Sequence, residues 1–235
     1  MSTSGSTVLL AVAMGMASAL SAAAFEVSPI RATLGTAGTA GSVVLRVENA
    51  DPGALPIEVT LERRDVAEDG TQSLTPADGD FVVFPPQALV PAGQSQAFRV
   101  QYVGPATIPT SVAYVANVSQ VPVQQPGGSG VIVVYRFGVA LYVVPDDALS
   151  DPVVVSAEAE GGRLRLAIRN EGTRHALLSN DRIEIGDIVL DGESLSSRVA
   201  NPIMPPGGTR IFDLTVPGLP SQVDASSIRY RPRED

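Results

Sequence analysis

The 235-residue sequence contains no cysteine and no tryptophan, and its 16 basic residues are all arginine, because there is no lysine anywhere. Each absence removes a class of chemistry. Without cysteine there are no disulfides, thiol nucleophiles or thiolate metal sites. A blue-copper centre is excluded as well, since it needs a thiolate with two histidines and the chain has a single His. Without lysine no G-x-x-x-x-G-K-[ST] phosphate loop can exist, so Gly127-Gly128-Ser129-Gly130 reads as a plain loop. The formal net charge of −9 opposes nucleic-acid binding, which needs a basic face. No G-x-S-x-G elbow accompanies His175, so a Ser-His-Asp triad has no serine to activate. His175 follows Asn170-Glu171-Gly172 and reads as a turn or surface residue. Asp78 and Asp80 sit in a polar loop where solvation accounts for them, without the pattern of a glycosidase pair. The chain reads as a non-enzyme, with no metal, cofactor or small-molecule substrate.

What is present is β chemistry. Gly 22, Pro 19 and 44% hydrophobic residues suit a turn-rich all-β protein with a real core, and the length suits two sandwiches of roughly 100 residues each. Residues 8–24 form a small apolar run ending in Ala22-Ala23-Ala24, which reads as a signal peptide, 1–24, cleaved after Ala24. The run is rich in Ala, Ser and Gly and barely reaches the ~20 residues of a membrane span, so export is expected over anchoring. Beyond it, short apolar stretches alternate with Gly, Pro, Asn and Asp. Strands are predicted over 25–34, 42–48, 57–63, 81–84, 94–102 and 112–121, with a polar loop over 68–80. After a loop at 124–130 comes VIVVYRFGVALYVV, residues 131–144, a continuous run far longer than the usual strand of about five or six residues. Its β-branched and aromatic content argues for a strand, either central in a core or an apolar edge awaiting a partner. Pro145-Asp146-Asp147 ends it. A first domain is expected over 25–145, a linker over 146–151 and a second, smaller sandwich over 152–235. That second domain has predicted strands at 153–158, 164–169, 176–185 and 211–216, and shorter ones at 187–190 and 227–230.

The order of motifs resembles the periplasmic chaperones of chaperone–usher pilus systems across nearly all of the mature chain. Ser28-Pro29-Ile30-Arg31 is similar to the family's opening strand with its arginine. Phe81-Val82-Val83-Phe84-Pro85-Pro86, then Val90-Pro91-Ala92-Gly93-Gln94-Ser95-Gln96 and Phe98-Arg99-Val100, is the most specific match. Residues 114–121, followed by Pro122, resemble the strand before the donated one, and Leu141-Tyr142-Val143-Val144-Pro145 resembles the end of the donated strand.

The resemblance implies two immunoglobulin-like sandwiches in tandem, set at an angle with a cleft between them. It implies a periplasmic chaperone that lends a β-strand to a pilus subunit and delivers it to an outer-membrane usher. Val131, Val133 and Tyr135 are then the side chains for the subunit's groove, with Ile132 and Val134 as the other register, since a one-residue slip exchanges the faces. Burying three such side chains contributes roughly 5–8 kcal/mol before ordering costs. The family holds the subunit's C-terminal carboxylate with two basic residues. Arg31 matches the first; Ala140 stands where the second, a lysine, would be, and Arg136 is the only cation in the strand. The resemblance therefore points to Arg31 and Arg136 as the anchor. The family's interdomain salt bridge is not assigned, because Val144 stands in place of its arginine. An exposed donor strand also implies self-capping as a homo-oligomer when no subunit is bound. The competing reading is a secreted two-domain adhesin or structural surface protein that buries the long strand in its own core.

Overall fold

A computed structural model describes residues 25–122, 133–220 and 222–231. The expected signal peptide, the loop at 124–130, Val131 and Ile132 lie outside the described residues.

The first domain is two packed sheets. One holds β1 (Glu26–Ser28), β3 (Ser42–Glu48), β8 (Ser95–Tyr102) and β6 (Phe81–Phe84), in the order β1-β3-β8-β6. The other runs β2-β10-β9-β4-β5, from β2 (Arg31–Leu34), β10 (Arg136–Val143), β9 (Val112–Gln120), β4 (Leu55–Val66) and β5 (Gln72–Pro76), with β7 (Gln87–Val90) also on β4. Period-two alternation builds the core between them. Leu55, Ile57, Val59 and Leu61 of β4 point inward with Leu45, Val47, Phe98, Val100, Tyr114 and Leu141, all buried.

The segment expected as one opening strand divides. Glu26–Ser28 pairs with β3 in the first sheet, and Arg31–Leu34 pairs parallel with β10 in the second. Pro29, at the break, has no N–H to continue a ladder, so the chain changes sheets there. The predicted loop at 68–80 contains β5, a strand with every residue exposed and hence without apolar alternation.

The second domain packs β11 (Pro152–Glu160), β12 (Arg163–Asn170) and β17 (Thr209–Thr215) against β14 (Arg182–Ile185), β15 (Ile188–Asp191) and β18 (Ile228–Arg231). Its core includes Leu164, Leu166, Ile168, Ile183, Phe212 and Leu214. The strand expected over 176–185 is broken. β13 (Ala176–Leu177) pairs with β16 (Ile203–Met204), and a 3-10 turn at Leu178–Asn180 intervenes before β14. Ser179, Asn180 and Asp181 supply turn chemistry there.

Among the described residues the two domains touch at two places. The tip of the β4–β5 hairpin lies on β17, where Ile211 N–H donates to the Glu68 carbonyl (2.8 Å) and Asn201 Nδ2 donates to the Gly70 carbonyl (3.0 Å). Arg210 locks this corner. Only 2% exposed, it donates to the carbonyls of Ile203 (2.7 Å), Asn201 (3.1 Å) and Glu68 (3.3 Å). The other contact joins Tyr142 of β10 to Leu177 and Ile203 in one apolar cluster.

Candidate functional site

The ladder of β10 is lopsided. On one side it pairs with β9 from Arg136 to Val143; on the other it pairs with β2 only from Ala140 to Val143. Ala140 and Val144 donate toward β2, to the carbonyls of Ile30 (3.0 Å) and Leu34 (2.8 Å). By the period of two, the N–H and C=O of Arg136 and Gly138 point the same way, onto an edge that no strand covers among the described residues. A bare edge of this kind is a template for another strand.

The side chains of that segment grade from core to solvent. Val139, Leu141 and Val143 are buried, while Phe137 and Tyr135 are half-buried against the rim of the same core. Phe137 meets Phe25 edge to face at 4.8 Å. Val133, next in the row, is 61% exposed. The predicted groove residues Val133 and Tyr135 therefore continue the row that fills the domain's own core. Val134 falls on the opposite row with Arg136, facing outward. The run expected over 131–144 forms a ladder of eight residues, Arg136–Val143. Above it β9 ends at Gln120, two residues before Pro122, and the last backbone bond between the two is Gln120 N–H to the Tyr135 carbonyl (3.0 Å) among the described residues.

Where the edge becomes covered, the cleft between the domains begins. Arg31 is the direct cross-strand neighbour of Ala140 and is exposed. Two residue pairs further, Tyr142 is buried and its ring stacks on His175 of the second domain, with centroids 3.8 Å apart and planes at 10°. The His175 N–H donates to Ser111 Oγ (2.7 Å), Nδ1 lies 3.3 Å from the same oxygen, and Ser111 N–H donates to the Thr173 carbonyl (2.8 Å). Burial, then the Arg174 and Arg31 charges, push the His175 imidazole down to about 4. His175 is thus a half-buried part of the domain contact, not the surface residue its turn context suggested.

Two cavities flank this stack. One of about 170 Å³ is lined by Arg31, Thr33, Tyr142, Arg174 and His175. The other, of about 220 Å³, is lined by Arg64, Ser111, Ala113, His175 and Ile203.

No family model matches the chain. Comparison with curated proteins also finds no match. Among solved structures, the class 5 fimbriae chaperone CfaA aligns at 14% identity and a TM-score of 0.57, over 90% of this chain and 100% of that one. The complex of Salmonella enterica SafA pilin with the SafB chaperone aligns at 17% identity and 0.57, over 82% and 85%. The E. coli chaperone DraB aligns at 16% identity and 0.55, over 88% and 89%. This chain has the fold of the fimbrial chaperones.

On that fimbrial-chaperone fold the two arginines singled out from the sequence are not neighbours. Arg136 lies opposite Ser119, four residues up the strand from Ala140, or about 13 Å at strand rise. Arg64 of β4 lines the second cavity, and burial is the main cause of its lowered pKa, ahead of the opposing Tyr142 phenol and the Arg31 charge. No signal in the sequence singled Arg64 out, because it occupies one of the outward polar positions that every half-buried strand carries.

Proposed function

We propose that the protein is an exported chaperone that captures a pilus subunit by lending it the open edge of β10. One observation carries the reading: the β10 ladder is two-sided from Ala140 onward and one-sided above, where its side chains also emerge from the core. A subunit strand laid on this edge gains main-chain hydrogen bonds from Arg136 and Gly138. The row of Val131, Val133 and Tyr135 supplies apolar contact, each buried side chain contributing about 1.5–3 kcal/mol before ordering costs.

β2 occupies the lower half of the same edge and runs parallel to β10. A subunit strand running in that sense ends facing Ile30 and Arg31, which places its terminal carboxylate beside Arg31. The guanidinium is suited to hold it through two donors. Capture of this kind uses burial and backbone pairing alone, so it requires no cofactor, nucleotide or catalytic group. Delivery to an outer-membrane usher, action in the periplasm and capping by a second copy when no subunit is bound complete the reading.

A secreted adhesin or structural sandwich is not favoured, because it needs the apolar strand buried in its own core, whereas Val133 and Val134 are exposed. Co-expression with a pilus subunit tests the proposal. A soluble one-to-one complex by size exclusion and native mass is expected; an insoluble subunit alongside free protein contradicts it.

A further inference from the structure

The segment expected as the linker, 146–151, is tied down by a short loop of the second domain, residues 171–174, that lies across it. The backbone N–H groups of Thr173 and Arg174 both donate to the Leu149 carbonyl (2.9 and 3.0 Å), and that of Glu171 donates to the Asp151 carbonyl (2.7 Å). A return bond runs from the Asp151 N–H to Asn170 Oδ1 (3.0 Å). The approach is closest at Gly172, where a β-carbon would stand 2.2 Å from the Leu149 carbonyl oxygen and 2.6 Å from the Asp151 nitrogen. Domains joined by a free linker move relative to each other by default. A linker whose backbone donors and acceptors are engaged in this way is not free to swivel.

Asn170 is the fixed point beneath the loop. It is fully buried, and its Oδ1 accepts from the backbone of both Asp151 and Gly172 (3.0 and 3.2 Å). Its Nδ2 donates to the carbonyls of Arg174 (2.8 Å) and Met204 (3.2 Å). A buried amide with both donors and both acceptor positions engaged is held in one orientation.

The far side of the loop holds the first domain. Ser111, buried just before β9, donates its N–H to the Thr173 carbonyl (2.8 Å) and accepts the His175 N–H on its Oγ (2.7 Å). Of the five consecutive N–H groups from Glu171 to His175, three thus go to the linker, one to Asn170 and one to the first domain. Each of these bonds joins main-chain or neutral side-chain groups. Beside them Val144 packs with Tyr142, Leu177 and Ile203, again without charge.

We infer that residues 170–175 form a splint that fixes the two domains at one angle, with Asn170, Gly172 and Ser111 as its positioning residues. The splint presets the cleft that begins where β2 covers β10, so a captured strand meets both domains already in place and the ordering cost of binding falls. The fixed angle stands on the fold alone; its effect on capture rests on the proposed subunit binding.

The test compares the full chain with Gly172→Ala, Ser111→Ala and Ser111→Thr. Gly172 does not occupy the left-handed region, so Gly172→Ala adds a methyl group against the linker backbone and removes no polar group. Residual dipolar couplings report the domain angle. In the wild-type chain both domains are expected to fit one alignment tensor, and to keep it in molar salt, which screens charges beyond about 3 Å. In Gly172→Ala and Ser111→Ala the second domain's tensor is expected to shrink relative to the first's as the domains pivot about the Arg210 corner. Unchanged amide shifts in β4 and β12 show that both domains remain folded, and Ser111→Thr, which keeps the hydroxyl, is expected to restore the single tensor. Capture of a co-expressed pilus subunit by the two alanine variants is expected to weaken about tenfold, the loss that follows when the competent angle is populated a tenth of the time. One tensor in both alanine variants overturns the splint, as do two unequal tensors in the wild-type chain at low or molar salt. Separated tensors with wild-type capture overturn its role in presetting the cleft. A wild-type chain that keeps one tensor yet captures no subunit overturns the proposed function and leaves the splint standing.

Discussion

Arg31 and Ala140 stand directly opposite each other across the only parallel ladder among the described strands. That one pairing divides the β10 edge into a half covered by β2 and a half left bare. It also puts Arg31 at the end of the bare half, where β2 begins to cover the edge. The remaining features of the site follow from it: the emerging apolar row above, the domain contact below, and Arg31 at the junction.

Val133→Asp tests the apolar row. Val133 is 61% exposed, so the change is expected to leave folding stability within about 0.5 kcal/mol. Placing a carboxylate in a subunit's groove forfeits about 1.5–3 kcal/mol of burial and adds a charge-desolvation cost, so capture falls more than about a hundredfold. The check is co-purification of subunit with a variant whose thermal unfolding matches wild type. Retained co-purification removes Val133 from the site.

The pattern of success in the sequence explains which residues were readable. Rows such as Leu55, Ile57, Val59 and Leu61 announced themselves because one face of the strand fills a core. β5 did not, since none of its residues reaches a core. The break at Pro29 was present in the sequence, but which sheet each half joins is a tertiary fact. Arg31 could be found through its motif. Arg64 could not, because the burial of its Nε depends on the other domain's cover over β4. His175 was misread for a related reason: its local turn is exposed, yet the other domain supplies Tyr142 as a cover.

His175 gives the domain contact a pH dependence. Its imidazole is held at about 4 in the folded protein, against about 6.5 unfolded. The folded state therefore favours the neutral ring. Its contribution is fully present above pH 6.5 and is lost as pH falls from 6.5 through 4, on the order of 3 kcal/mol in all. His175→Phe, which keeps an aromatic ring against Tyr142, is expected to remove this increment. Urea unfolding of both proteins at pH 7 and pH 4.5 measures it, and equal losses of stability in the two would rule His175 out as the source.

Arg210 should be the costliest single truncation at the other domain contact. Arg210→Ala strands three carbonyl acceptors at the corner where β17 meets the β4–β5 hairpin. A loss of about 2–4 kcal/mol is expected in denaturant unfolding. A loss below about 0.5 kcal/mol would mean that solvent satisfies those carbonyls and that the corner is not a lock.

The bare half of the β10 edge is tested most directly by backbone amide exchange. The amides of Arg136 and Gly138 point onto that edge, whereas those of Phe137 and Val139 point toward β9. In the free protein, Arg136 and Gly138 are expected to exchange rapidly and their neighbours slowly. In the complex with the co-expressed subunit, the amides of Arg136 and Gly138 are expected to become protected, matching Ala140. If both continue to exchange at the free rate while the subunit is demonstrably bound, the subunit is not held as an added strand on β10, and the central claim fails.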